Sequence, residues 1–84
     1  MTDKASKASA APLCDLVRMA VDDYLQQLNG ETVSGLHGMV IQEVEKPLLE
    51  AVLDRTSSNQ SKASEMLGIS RGTLRKKMAA YGLD

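Results

Sequence analysis

Between Leu36 and Leu53, nine apolar residues recur at helical spacing: Leu36, Met39, Val40, Ile41, Val44, Leu48, Leu49, Val52 and Leu53. Together they form a stripe too wide for a single neighbouring helix to cover. The chain that must cover it has 84 residues, a length at which one hydrophobic core is thin and a metal, disulfides or a second copy usually supplements it. One cysteine, Cys14, and one histidine, His37, exclude an intrachain disulfide and a zinc site. A lone cysteine also fits a reducing, intracellular setting. Upstream lies one more amphipathic stretch. It has Leu13, Leu16, Val17, Ala20, Val21, Tyr24, Leu25 and Leu28 on one side, and Asp15, Arg18, Asp22, Asp23 and Gln26 on the other. Two such helices cannot bury their apolar faces against each other alone. Two copies of the pair can, as a four-helix bundle, so an all-α obligate homodimer is expected.

Local signals divide the chain. Residues 1–11 are Ala, Ser and Lys with little else, a composition that predicts a disordered arm. Pro12 suits the first turn of a helix, and Asn29 with Gly30 ends it. The second helical stretch follows Ser34 and reaches about Thr56, with Pro47 predicted to kink or interrupt it. Ser57 and Ser58 form a break. Asn59 then caps a short helix over residues 60–67, closed by Gly68 in the left-handed conformation, and Ser70 caps a last helix over residues 71–80 with Gly82 beyond it. The expected organisation is an arm (1–12), dimerisation helices (13–56) and a helix-turn-helix unit (57–84). No apolar run approaches the roughly 20 residues needed to cross a bilayer. The start lacks the apolar core of a secretory signal, and a soluble, cytoplasmic protein with no membrane partner is expected.

Charge is distributed unevenly. Through Asp54 there are four bases against nine acids; from Arg55 onward there are six bases against two acids. A body of one sign joined to a basic end matches a nucleic-acid reader. With no Phe or Trp and only Tyr24 and Tyr81, the chain lacks the stacking platforms of single-strand and RNA binders. The basic end has the layout of a helix-turn-helix. Small Ala63 lies where two helices cross, Gly68 makes the turn, and Met66, Leu67, Ile69, Leu74 and Met78 bury the inner faces. Arg71, Thr73, Arg75, Lys76 and Lys77 are left outward. Polar residues at the N-terminal end of such a helix reach base edges, and cations meet phosphates. Arginine's fork matches O6 and N7 of guanine, and a helix N-terminus attracts phosphate. Nothing in the chain has the pattern of a nucleophile elbow, a phosphate loop or a paired-acid pocket, so neither catalysis nor a cofactor is expected.

The stretches Gln27 to Gly30, Glu43 to Leu49, Asn59-Gln60, Gly68 to Lys77 and Tyr81-Gly82 closely resemble the bacterial Fis proteins, the factors for inversion stimulation. The resemblance runs in order from Leu13 to the end. It implies a nucleoid-associated homodimer whose long helices intertwine into a four-helix core and present two helix-turn-helix units. Those units sit too close for successive major grooves of straight DNA, so the duplex must bend, and deformability supplies much of a weak sequence preference. Carried over by position, Arg71 would read guanines near the site edges. Asn59, Ser61, Lys62, Ser70, Thr73, Arg75, Lys76 and Lys77 would hold the backbone or approach neighbouring bases.

The chain also departs from that pattern. Ser70 stands where relatives often have asparagine, Ala79 and Ala80 where lysine is frequent, and Ser57 where arginine is common. The change at Ser70 should shorten or remove one contact, and those at Ala79, Ala80 and Ser57 should weaken contacts to flanking DNA. Invertase-activating relatives touch the recombinase with an N-terminal β-hairpin, and residues 1–11 lack the alternating β-branched residues and turn of one, which counts against an invertase contact. Cys14 reads as a partly buried spectator, and Met39, Met66 and Met78 as core. Two other readings carry weight: the DNA-binding output domain of a nitrogen-regulator-type activator, and a helical bundle whose basic end binds an acidic protein. The methionine start and the self-contained dimerisation half speak against the first.

Overall fold

The computed structural model describes residues 12–28 and 30–84, so the arm expected over residues 1–11 and the turn residue Asn29 lie outside the described residues. The described chain holds four helices, α1 (Leu13–Gln27), α2 (Leu36–Arg55), α3 (Gln60–Leu67) and α4 (Arg71–Tyr81), and no strand. The all-α expectation is met, and α4 extends one residue further than its pattern predicted. The chain forms two compact units, one ending at Ser34 and the other running from Gly35 to Asp84.

In the first unit, α1 follows Pro12. This residue sits just outside the helix as its N-cap, with φ −59° and ψ 150°, rather than within the first turn. Its carbonyl accepts from the N–H groups of Asp15 and Leu16 at 3.0 and 3.2 Å, and the Asp15 carboxylate is favourably placed at the positive end of the helix dipole. None of its residues is buried. Leu13, Leu16, Met19 and Leu25 are all exposed, and so is Cys14, contrary to the partly buried placement expected for it. The reason is that α1 has an apolar side and, among the described residues of the unit, nothing covers it.

In the second unit, α2 passes through Pro47 as one uninterrupted helix. Proline removes the N–H that would have met the Glu43 carbonyl, and because Glu43 and Pro47 are both exposed, water can take that place. Leu49 and Leu53, one turn apart on α2, meet Ala63 of α3 and Leu74 and Met78 of α4 in the core of the unit. Val52, Leu67, Ile69, Tyr81 and Leu83 pack around it. Leu49 and Leu74 are the large side chains removed completely from water, each worth about 1.5–3 kcal/mol of transfer free energy. Ala63 is wholly buried, as expected of a crossing point.

Met66 does not join this core; it is 60% exposed. Helix α3 has eight residues and buries one narrow side, centred on Ala63 and Leu67. Met66 lies about 100° round the helix from Leu67. Ser64 is buried instead, its hydroxyl donating to the Ser61 carbonyl at 3.0 Å.

Three helices of this unit end in the same way. After α3, the N–H of Gly68 donates to Glu65 and that of Ile69 to Ser64; after α4, Gly82 donates to Ala79 and Leu83 to Met78. Each is a Schellman closure, with glycine at the left-handed position (φ 76° and 70°). After α2, Ser57 donates to Asp54 and Ser58 to Leu53. Here the left-handed position holds serine, with Ser57 at φ 52° and Ser58 following at φ 64°.

Candidate nucleic-acid interface

Asn59 leaves the helical conformation, and its Oδ1 accepts from the Lys62 N–H at 3.1 Å, which starts α3. That bond uses the acceptor end of the amide. The two donors on Nδ2 point to no requirement of the cap. Gly68, Ile69 and Ser70 then carry the chain into α4. Ser70 Oγ accepts from the Thr73 N–H at 3.1 Å and donates its own hydrogen to Thr73 Oγ1 at 3.0 Å. The Ser70 hydroxyl is therefore committed to the cap, and the Thr73 hydroxyl hydrogen is the one left to donate outward. Beside it, the first N–H groups of α4 have no intrahelical acceptor, as at any helix start.

The inner face of α4 is Leu74, Met78 and Tyr81, at the spacing of one helical side. Burial of that side orients the rest. Arg71, Thr73, Arg75 and Lys76 are exposed on α4, and Asn59, Ser61 and Lys62 are exposed in and before the first turn of α3. Lys76 stands on a ridge between two shallow grooves. One, of about 390 Å³, is lined by Gln60, Arg75, Lys76, Met78, Ala79 and Asp84. The other, of about 310 Å³, is lined by Gln42, Glu45, Lys76, Lys77, Ala80 and Tyr81. Gln60 thus brings the start of α3 to the same groove as Arg75 and Lys76.

Lys77 is the exception among the expected contact residues. Its ammonium turns back to α2 and meets Glu45 Oε2 at 2.9 Å, while the Tyr81 hydroxyl donates to Glu45 Oε1 at 2.7 Å. The outward placement expected for Lys77 is corrected on this point. Lys77 follows Leu74 by three positions and precedes Tyr81 by four, so it lies at the edge of the inner face. Glu45, 36 positions before Tyr81, lies in one of the stretches that carry the family resemblance, but no local pattern links it to α4. The Tyr81 hydroxyl, then the Lys77 ammonium, hold the Glu45 carboxyl below its ordinary value. The same hydrogen bond to Glu45 pushes the Tyr81 phenol up, because ionisation would remove the donated hydrogen.

No helix among the described residues is long and apolar enough to cross a membrane, and among them no group of side chains could hold a metal ion.

Two short helices joined through Gly68, each started by a side-chain cap, with the second packed by one face and basic on the other, define a helix-turn-helix protein. Residues 40–81 match the family described as bacterial regulatory protein, Fis family, and residues 1–33 match the DNA-binding protein Fis N-terminal domain. The chain is 49% identical over 73 residues to the DNA-binding protein Fis of Aliivibrio fischeri (strain MJ11), covering 87% of this chain and 74% of that protein. The same identity and coverage hold for its counterpart in Proteus mirabilis (strain HI4320). Against the DNA-binding protein Fis of Aeromonas hydrophila subsp. hydrophila the identity is 46% over 80 residues, covering 95% and 82% of the two chains. The chain belongs to the Fis family of bacterial regulatory proteins, a family of regulators and not of enzymes.

Proposed function

We propose that the protein binds double-stranded DNA as a homodimer, through α4 in the major groove, and bends it. The observation that carries the DNA-binding reading is the exposed row on α4, Arg71, Thr73, Arg75 and Lys76, on a helix whose opposite side is buried. In this reading Arg71 meets base edges. Arg75, Lys76 and Lys62 neutralise phosphates, and the Thr73 hydroxyl, the Asn59 amide and Ser61 donate to phosphate oxygens. Ser70 acts as the cap that orients Thr73, and Lys77, held by Glu45, is outside the contact set. Such a protein works in the cytoplasm, on the nucleoid, as a regulator of transcription and DNA architecture.

The homodimer is supported by apolar surface left uncovered in both units. α1 has no buried residue. On α2, Leu36, Val40, Val44 and Leu48 recur every fourth residue and none of them is buried, while α3 and α4 cover Leu49 and Leu53. Residues 13–56 are thus the dimerisation helices of this reading, and residues 57–84 its DNA-reading unit. Bending and weak sequence preference rest on the family resemblance.

The test is a gel-shift series with one candidate site moved from the end to the centre of DNA fragments of equal length. Mobility that varies with site position supports bending. A complex of constant mobility removes bending and leaves an ordinary helix-turn-helix reader. No complex at low salt removes the DNA reading altogether. With six to eight phosphates neutralised per dimer, log affinity should fall against log salt with a slope of about −5 to −7.

A further inference from the structure

Four cations of the α3–α4 unit, Lys62, Arg71, Arg75 and Lys76, are exposed, and a fifth, Lys77, is paired at 2.9 Å with a carboxylate from a different helix. The pair is partly withdrawn from water, with 35% of the Lys77 side chain and 24% of the Glu45 side chain exposed. Salt therefore screens it less than a fully solvated pair. The carboxylate is held in place on its other oxygen by the Tyr81 hydroxyl at 2.7 Å. Glu45 lines the groove on the α2 side of α4 together with Lys76, Lys77 and Tyr81, so its negative charge lies beside the proposed phosphate-facing ridge.

We propose that Glu45 is a restraint on DNA affinity: it holds Lys77 on α2, away from the phosphates, and so sets the number of cations that α4 can offer. Glu45 has two separable effects. Its Oε1 acceptor bond with Tyr81 braces α4 against α2, and its charge sequesters Lys77. An amide in its place keeps an acceptor for the Tyr81 hydroxyl and the shape of the side chain, but gives up the ionic hold on Lys77. A released lysine, on a flexible four-carbon stem, becomes one more cation able to displace a counterion from DNA. That would steepen the salt slope by about 0.9 for each protomer engaged and tighten binding several-fold, up to about tenfold per freed lysine near 0.1 M salt.

This inference rests on the DNA-binding reading, and the experiment separates the two. Binding to a 30-base-pair duplex is measured across a salt series for the unaltered protein, K76A, E45Q, K77A, the double variant E45Q/K77A and Y81F. Loss of slope in K76A tests the DNA-binding reading; no salt-dependent binding by the unaltered protein overturns that reading directly. With binding established, E45Q is expected to bind more tightly and with a steeper slope. K77A should keep the slope of the unaltered protein, and the double variant should lose the gain of E45Q, since no lysine is left to release. The restraint is overturned if K77A loses as much slope as K76A, because Lys77 would then already be on DNA. A gain that survives in E45Q/K77A also overturns it, since removal of the negative charge alone would be the cause. So does Y81F matching E45Q, since loosening of α4 would then suffice. Should E45Q fail to fold, the comparison of K77A with K76A still decides the matter.

Discussion

Replacing Ser57 with glycine should stabilise the protein, and the size of the gain follows from its backbone. Ser57 occupies the left-handed position of the closure after α2, at φ 52°, where α3 and α4 both use glycine. An L-residue held there costs about 1–2 kcal/mol from the approach of Cβ to the carbonyl. Glycine removes that cost but gives back about 0.5–1 kcal/mol through the greater freedom of the unfolded chain. The Ser57 side chain is exposed, so little contact is lost. The net expectation for Ser57→Gly is a gain of about 0.5–1 kcal/mol, which corresponds to a rise in Tm of about 2–8 °C for a domain of this size. Urea unfolding followed by circular dichroism should show the midpoint moving up with an unchanged slope. Protein concentration must be held constant, because any self-association adds its own stabilisation. Ser57→Ala serves as the control: it keeps the Cβ and should show no gain. A midpoint for Ser57→Gly at or below that of the unaltered protein would refute the strain argument, as would an equal gain from Ser57→Ala.

Leu74→Ala empties a completely buried site at the meeting of α2, α3 and α4. It should cost about 2–5 kcal/mol, read as a fall in urea midpoint with parallel loss of DNA binding. The Glu45–Tyr81 contact predicts two edges in stability against pH. Glu45 is depressed from its ordinary 4.5, so its contribution is present above that value and fades as pH falls through the lowered one. Tyr81 is raised from 10.0, so its contribution is present below that value and fades as pH rises through the raised one. Thermal melts across pH should show both edges shrink in Glu45→Gln, and an unchanged profile would sink the assignment. Leu48→Glu places a charge on the uncovered α2 row and is expected to shift sedimentation from dimer to monomer. A dimer that persists undiminished would remove that row from the interface.

The helix-turn-helix was legible because its signals are local. Asn59 and Ser70 cap helices through groups three residues away, and Gly68 closes α3 through carbonyls three and four residues back. Such bonds depend on residue type and spacing alone. The pattern also identified Ala63 as a crossing point and Arg71, Thr73, Arg75 and Lys76 as the outward row, because a helix that buries Leu74 and Met78 presents its opposite side to solvent. Met66 was misread for the complementary reason. Periodicity says that a residue is apolar and near a face, but the width of the face buried depends on the neighbours, and around α3 it excludes Met66.

Residue type and local spacing were thus enough for the four helices, for both ends of α3 and the start of α4, and for the basic character of the last unit, all of which are properties of neighbours along the chain; α4 itself runs one residue past its pattern. Helix packing was needed to place a left-handed backbone at Ser57, to bury Ser64 where Met66 was not, and to turn Lys77 to Glu45 rather than to solvent. Those outcomes depend on where α2 lies against α3 and α4. A contact between residues 32 positions apart leaves no periodic trace in either segment that makes it.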